Sequence, residues 1–304
     1  MKAGEDGFTS TSEPAVSDDR ESLDALRAEI DSIDDRIHDL LMERASVVDR
    51  VRAHKGPDAP VVRPDREMAV LRRLVRRHAG SLPRAVLVRL WHEIFGAYAR
   101  MQDTMRLAVC MPEPGAGYLE MARERFGFFT PTTSYRSAVQ VIRAVSEGAA
   151  GVGILPMPGG ADTEGWWPNL MSEGRGTPRV FARLPTVGPW PERGAASEAL
   201  AVACLAPAPT GDDRSLLAIE MSSGMSRGAL ERRLGHSGLT AEFLAGWEIG
   251  GTDDQRILVD VPGHVAADAE PLRRVEKAAE GAIRRITVIG SYPRPFGPDE
   301  LDLP

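Results

Sequence analysis

Residues 23 to 56 read LDALRAEIDSIDDRIHDLLMERASVVDRVRAHKG, and this stretch decides the fold of the first third of the chain. Leu23, Leu26, Ile30, Ile33, Ile37, Leu40, Val47 and Val51 recur at alternating spacings of three and four, which places them on one stripe of a helix packed along a seam. No Pro or Gly interrupts Glu21 to His54, so the helix is continuous. Roughly 34 residues at 1.5 Å each reach about 50 Å, beyond the width of a small domain, and such a helix needs a partner. Arg44 falls on the stripe between Leu40 and Val47, where an unpaired guanidinium is costly to desolvate. It must meet an anion, either an acidic residue of another helix or a ligand. Lys55 follows about three turns later on nearly the same face. Arg27 lies roughly 25 Å before Arg44 along the helix and about 100° around it, so the two cannot grip one small molecule within a chain. Two antiparallel copies of the helix would bring Arg27 of one subunit toward the Arg44 region of the other, giving two shared pockets in a closed two-fold dimer. The other reading of Arg27 is a solvated surface residue.

Working outward, the turn GPDAP at 56 to 60 leads to a second helix around Asp65 to His78. A third takes Ser81 as N-cap and Pro83 in its first turn, and runs to Gln102 along Leu87, Trp91, Phe95 and Tyr98. Beyond Arg106 the texture changes. Apolar runs (LAVCM, GVGILPM, RVFARL, LAVACL) alternate with a helix over Ser137 to Glu147, the pattern of a small α/β unit. A Pro- and Gly-rich linker, PAPTGDD, spans 207 to 213. The remainder reads strand (Leu216 to Met221), helix (Arg227 to Leu234), strand (Ala241 to Trp247), strand (Ile257 to Val261), helix (Pro271 to Ile283), strand (Ile286 to Ile289). That βαββαβ order is ferredoxin-like.

A chain of 304 residues exceeds what one hydrophobic core usually organises, so the protein is multidomain. Hydrophobic content of 42% with 27% charged residues is that of a soluble globular protein. The opening MKAGEDGFTSTSEPAVSDD lacks the basic start and apolar core of a secretory signal and reads as a disordered acidic tail. Cys110 and Cys204 have no His or second Cys at metal-ligand spacing, which fits a reduced cytoplasm and no structural metal. A net charge of −7 argues against general affinity for nucleic acid or an anionic membrane.

The stretch from Leu23 to Gly56, with VRPDREMAVLRRL at 62 to 74 and LWHEIFGAYARMQ at 90 to 102, closely resembles the all-helical chorismate mutase family. The resemblance implies a fold, an intertwined dimer, and roles. Arg27 from the other subunit and Arg44 in the chain would each clamp a carboxylate of chorismate. Lys55 and Gln102 would hydrogen-bond the ether oxygen of the breaking bond, Glu67 would hold the ring hydroxyl, and Arg66 would support the site. Arg63 stands where some relatives have an aspartate, and Tyr98 where some have a small polar residue; both would line the substrate pocket. The rearrangement to prephenate moves no proton and needs no covalent intermediate, cofactor or metal.

The rest resembles bifunctional chorismate mutase-prephenate dehydratases in part. RLAVCMPEPGAGYLEMARERFG, SAVQVIRAVSEGAAGVGILPMP and TPRVFARLPTVG look like the first lobe of that dehydratase, whereas its second lobe is essentially absent. Glu198, Ala199 and Leu200 stand where the family has a Thr-Arg-Phe catalytic motif, and Met111 to Gly117 replace its glycine-rich opening. The final unit resembles an ACT regulatory domain through Gly228, Ala229 and Leu230 and the closing GSYPRPF. Its other effector motif is here Ala245, Gly246, Trp247 and Glu248, and Trp247 is expected to pack against a neighbouring domain. The expected domains are a tail (1–18), a helical mutase (19–104), a degenerate dehydratase-like lobe (105–206) and an ACT-like domain (207–304). Three functions compete: a monofunctional mutase in aromatic amino acid biosynthesis, a bifunctional enzyme, and a catalytically silent dimerisation or sensing protein.

Overall fold

The computed structural model describes residues 22–54, 62–102, 105–112, 117–159, 165–172, 174, 176–187 and 198–302. The chain divides after His54 into two compact units. In the first, the described residues form one helix, α1, Leu23–His54, 32 residues long. The Ser22 Oγ accepts from the Ala25 N–H at 3.2 Å and opens it. Asp24 lies in its first turn and Arg52 and His54 in its last, as the helix dipole favours. No residue of α1 is buried. Leu23, Ile30, Ile37 and Leu40 are each more than half exposed.

The second unit begins with α2 (Pro64–Arg77) and α3 (Arg84–Gln102). Pro64 starts α2 because its fixed φ suits a first turn whose N–H has no partner in any case. The expected N-cap at Ser81 is corrected by two residues, to Pro83. Ser81 sits in an exposed bend, and the Pro83 carbonyl accepts from the Val86 and Leu87 N–H groups at 3.0 and 3.3 Å, so the helix opens at Arg84. Met68, Leu71 and Val88 pack with Val187, Phe296 and Leu301, which ties both helices to the C-terminal segment. Gly96 lets α3 approach the end of α4 (Tyr118–Phe126), since a Cβ there would collide with the Phe126 carbonyl.

The runs read as strands become β1 (Leu107–Cys110), β3 (Val152–Pro156), β4 (Arg179–Leu184) and β5 (Ala199–Ala203). The expected helix is α5 (Ala138–Ser146), where Ser137 and Gln140 form a capping box. The helix α4 and the strand β2 (Thr132–Tyr135) escape the pattern. The latter is an edge strand of TTSY with no buried residue, which explains its silence in a search for apolar runs. The final unit gives β6 (Asp213–Ser222), α6 (Arg227–His236), β7 (Glu242–Glu248), β8 (Asp254–Pro262), α7 (Glu270–Ala278) and β9 (Ile283–Pro293), the βαββαβ order expected.

The nine strands of the described residues share one mixed sheet in the order β2-β1-β3-β5-β4-β9-β6-β8-β7. Residues 105–206 and 207–304 therefore meet at β4 and β9, which pair in parallel only at Val180 and Gly290. Gly290 permits the crossing, because a Cβ would overlap the Val180 backbone. Alternation along the strands sorts the core. Leu107, Val109, Val152 and Ile154 face α4, whereas Ala108, Cys110, Leu155 and Val202 face α5. Leu217, Ile219 and Val259 face α6 and α7, and Leu216, Ala218 and Leu258 pack on the other side with Trp166 and Trp167. Trp247 keeps 40% exposure yet lies against Gly165, whose missing side chain makes room for the indole ring. Among the described residues no helix is long and apolar enough to cross a membrane.

Candidate active site

On α1, Arg27 is exposed and pairs with Asp24 at 3.2 Å. Arg44 is half-buried, two turns before Arg52, on a helix otherwise dominated by exposed side chains. Lys55 lies outside the described residues. The 1.5 Å rise separates Arg27 from Arg44 by about 25 Å along the axis, so α1 presents two cations that cannot reach one small ligand together.

In the second unit the first turn of α2 gathers Arg63, Arg66 and Glu67. Arg63 stands at the N-cap position and grips the Asp65 carboxylate through Nε and Nη2 at 3.1 and 2.8 Å. This bidentate hydrogen bonding holds the Asp65 carboxyl below its ordinary range. Arg63 is thus engaged within its own turn. Arg66 is exposed. Glu67 points the other way, into the packing, and its Oε2 accepts from Nη2 of Arg125 at 2.6 Å with both side chains largely buried. Tyr98 is buried on α3, and Gln102 is the last residue of that helix; the Gln102 side chain lies outside the described residues. The second unit therefore holds Arg63, Arg66 and Glu67 together on one helical turn, and Tyr98 and Gln102 on another element.

Two buried residues here had no place in the sequence reading. Arg125 sits on the stripe of α4 formed by Tyr118, Met121, Ala122 and Phe126. A charge on an apolar stripe is the signal that marked Arg44, and it goes unread in α4 because the short helix was not recognised. His92 is fully enclosed on α3, and burial, with the Arg125 charge beside it, pushes its imidazole well below its ordinary pKa. Its Nε2 has no hydrogen-bond partner among the described residues.

Where the dehydratase motif would fall, Glu198 receives a fork of hydrogen bonds from Arg183, Nε at 3.1 Å and Nη2 at 2.7 and 2.8 Å. Arg183 also approaches the fully buried Asp260 at 4.0 Å, and Asp260 is bonded by Arg214 and the Tyr292 hydroxyl. Burial raises the Asp260 carboxyl above its ordinary pKa, and these partners oppose the rise. A separate cavity of about 500 Å³ lies beside Arg179, Cys204, His264 and Ser291 and includes none of the predicted site residues. Among the described residues no group of three or more His, Cys, Asp or Glu could hold a metal ion.

Residues 26–103 match the family model for chorismate mutase type II. The particular relatives carry a second activity in their names. A bifunctional chorismate mutase/prephenate dehydratase of Stutzerimonas stutzeri is 33% identical over 143 residues, covering 45% of this chain and 39% of that protein. Its counterpart in Pseudomonas aeruginosa is 31% identical over 145 residues, covering 46% and 40%. The chain thus spans about two fifths of the length of the curated relatives it matches. Among solved structures, the prephenate dehydratase of Streptococcus mutans aligns with 14% identity and a TM-score of 0.44, covering 62% of this chain and 97% of that one. GqqA, described as a novel type of quorum quenching acylase, aligns with 19% identity and a TM-score of 0.46, covering 65% and 97%.

Proposed function

We propose that this chain is a chorismate mutase of aromatic amino acid biosynthesis, acting in the cytoplasm as a homodimer. The observation that carries the reading is the family match over 26–103, and Arg27, Arg44, Lys55, Glu67 and Gln102 are the residues to which the resemblance gives the roles below. Chorismate is a dianion, and planar, permanently charged guanidinium groups suit its two carboxylates. Arg44 takes one carboxylate and Arg27 of the other subunit takes the second, which selects the folded conformer in which the new bond forms. Lys55 and Gln102 donate to the ether oxygen as its bond breaks and negative charge develops there. Glu67 accepts from the ring hydroxyl, with Arg66, Arg63 and Tyr98 around it. No nucleophile, proton transfer, cofactor or metal enters this scheme.

The intertwined dimer is supported by α1 itself. A 32-residue helix with no buried residue and a continuous exposed apolar stripe is marginal in water until a second surface covers it. A second copy of the same helix, running antiparallel, supplies that surface and the second arginine. The βαββαβ region is read as ACT-like and the preceding lobe as a degenerate dehydratase, with domain limits at 19–104, 105–206 and 207–304.

The names of the relatives favour a second reading, in which the chain also dehydrates prephenate. Against it stands Glu198, a carboxylate locked on Arg183 where that family has a catalytic motif. Loss of chorismate absorbance in the ultraviolet, with acid conversion of the product to phenylpyruvate, tests the mutase. Phenylpyruvate formed at neutral pH without acid tests the dehydratase. Unchanged chorismate would leave a silent dimerisation protein as the answer.

A further inference from the structure

Glu67 is oriented from outside the domain that contains it. Its partner, Arg125, is the eighth residue of α4, beyond the 26–103 stretch, and the Nη2 to Oε2 distance is 2.6 Å. The guanidinium is enclosed. Its central carbon lies 5.0 Å from the centroid of the Phe126 ring, and neighbouring His92 is held neutral, so His92 adds no charge to the cluster. Among the described residues Glu67 is the one hydrogen-bond acceptor Arg125 has. A buried cation with a single carboxylate partner fixes that partner firmly, because any other position of the carboxylate strands the charge.

Resting on the reading in which Glu67 receives the substrate hydroxyl, we infer that Arg125 is a positioning residue of the mutase site, supplied by the sheet-bearing part of the chain. Its role follows from the geometry of a carboxylate. Arg125 occupies Oε2, which leaves Oε1 to accept a hydrogen bond from a hydroxyl without competition from any described residue. A glutamate on the first turn of a helix has three side-chain torsions to fix before it can serve a ligand, and the ion pair fixes them in advance. The lobe that lacks the dehydratase motif thus retains a task in mutase chemistry, and α4 is the element that performs it.

The test is a double-mutant cycle in the full chain, with Arg125→Ala, Glu67→Gln and the double variant assayed for kcat and KM on chorismate. Arg125→Ala is expected to lower kcat/KM about tenfold, since a misplaced first-contact group costs rate steeply. In the Glu67→Gln background the same change is expected to cost less than about twofold, because the group it positions has already lost its charge. Arg125→Lys should restore part of the loss. Equal losses in both backgrounds would show that Arg125 merely supports the fold and would overturn the inference, as would an Arg125→Ala variant with wild-type kinetics. If Arg125→Ala does not fold, Arg125→Lys takes its place in the cycle with the same criterion. A wild-type chain that leaves chorismate unchanged overturns the mutase reading itself, whereas an active wild type without coupling between residues 67 and 125 overturns this inference alone.

Discussion

Arg44 and Arg125 present the same anomaly, a guanidinium on an apolar helical stripe. The first was legible in the sequence because α1 is long enough for its period to be unmistakable, and a cation in the series Leu40, Arg44, Val47 stands out. The second was not, because nine residues behind Gly117, which offers no side-chain cap, carry little helical signal. Glu67 was legible as a residue type at a motif position, but its orientation toward Arg125 depends on how α2, α3 and α4 pack, which no local pattern encodes. For Arg44→Ala we expect loss of at least about 100-fold in kcat/KM with folding retained, since the proposed carboxylate clamp and a desolvated charge would disappear together. Near-normal kinetics in a folded variant would refute its assignment. His92 gives a second expectation at this scale. It is neutral when folded, whereas the unfolded chain binds a proton there as pH falls below about 6.5, so its contribution to stability is present above that value and declines toward acid. Between pH 7.5 and 5.5 the decline should approach a slope of about 1.4 kcal/mol per pH unit. His92→Gln should flatten it, and urea denaturation at the two pH values measures the difference. Identical slopes in both proteins would contradict the burial of a neutral imidazole.

Among elements, α1 carries the heaviest expectation. Its length, its lack of breakers and its stripe were all readable, and the helix is observed from Leu23 to His54. What the sequence could not settle is what covers the stripe. The proposal of a second copy predicts that Ile33→Glu combined with Ile37→Glu converts the dimer to monomer in sedimentation velocity and removes mutase activity. Trp166 and Trp167, fully buried in the second unit, should keep their native near-ultraviolet dichroism in that variant. A double variant that remains dimeric would show that another surface holds the subunits. The start of α3 shows the limits of cap signals. Ser81 has the right chemistry and stands two residues before a proline, but the carbonyl of Pro83 makes the first helical bond, so the helix begins two residues late.

On the scale of the whole molecule, strands with apolar runs were legible and their arrangement was not. Each four- to six-residue run identifies a buried strand, yet two sequence segments are joined into one nine-stranded sheet through the parallel pair of Val180 with Gly290, with a further parallel bridge between Val187 and Phe296. The first contact spans 110 positions, and a glycine between Ile289 and Ser291 reads as an ordinary strand interruption until the crossing strand is seen. The expectation about dehydratase activity belongs to this scale. With Glu198 held by two nitrogens of Arg183, the chain should form no phenylpyruvate from prephenate at neutral pH; steady enzyme-dependent formation would restore the bifunctional reading.

The central claim is that two chains build each mutase site, and subunit mixing addresses it most directly. Arg27→Ala and Arg44→Ala proteins, each inactive alone, are combined under conditions in which dimers exchange. A heterodimer then has one pocket lacking both arginines and one pocket with both. At equal mixing about half the dimers are heterodimers, so activity should recover to about a quarter of wild type if exchange is random and the sites are independent. No recovery despite proven exchange would mean that Arg27 serves its own chain or no site at all, and would contradict the shared-site dimer.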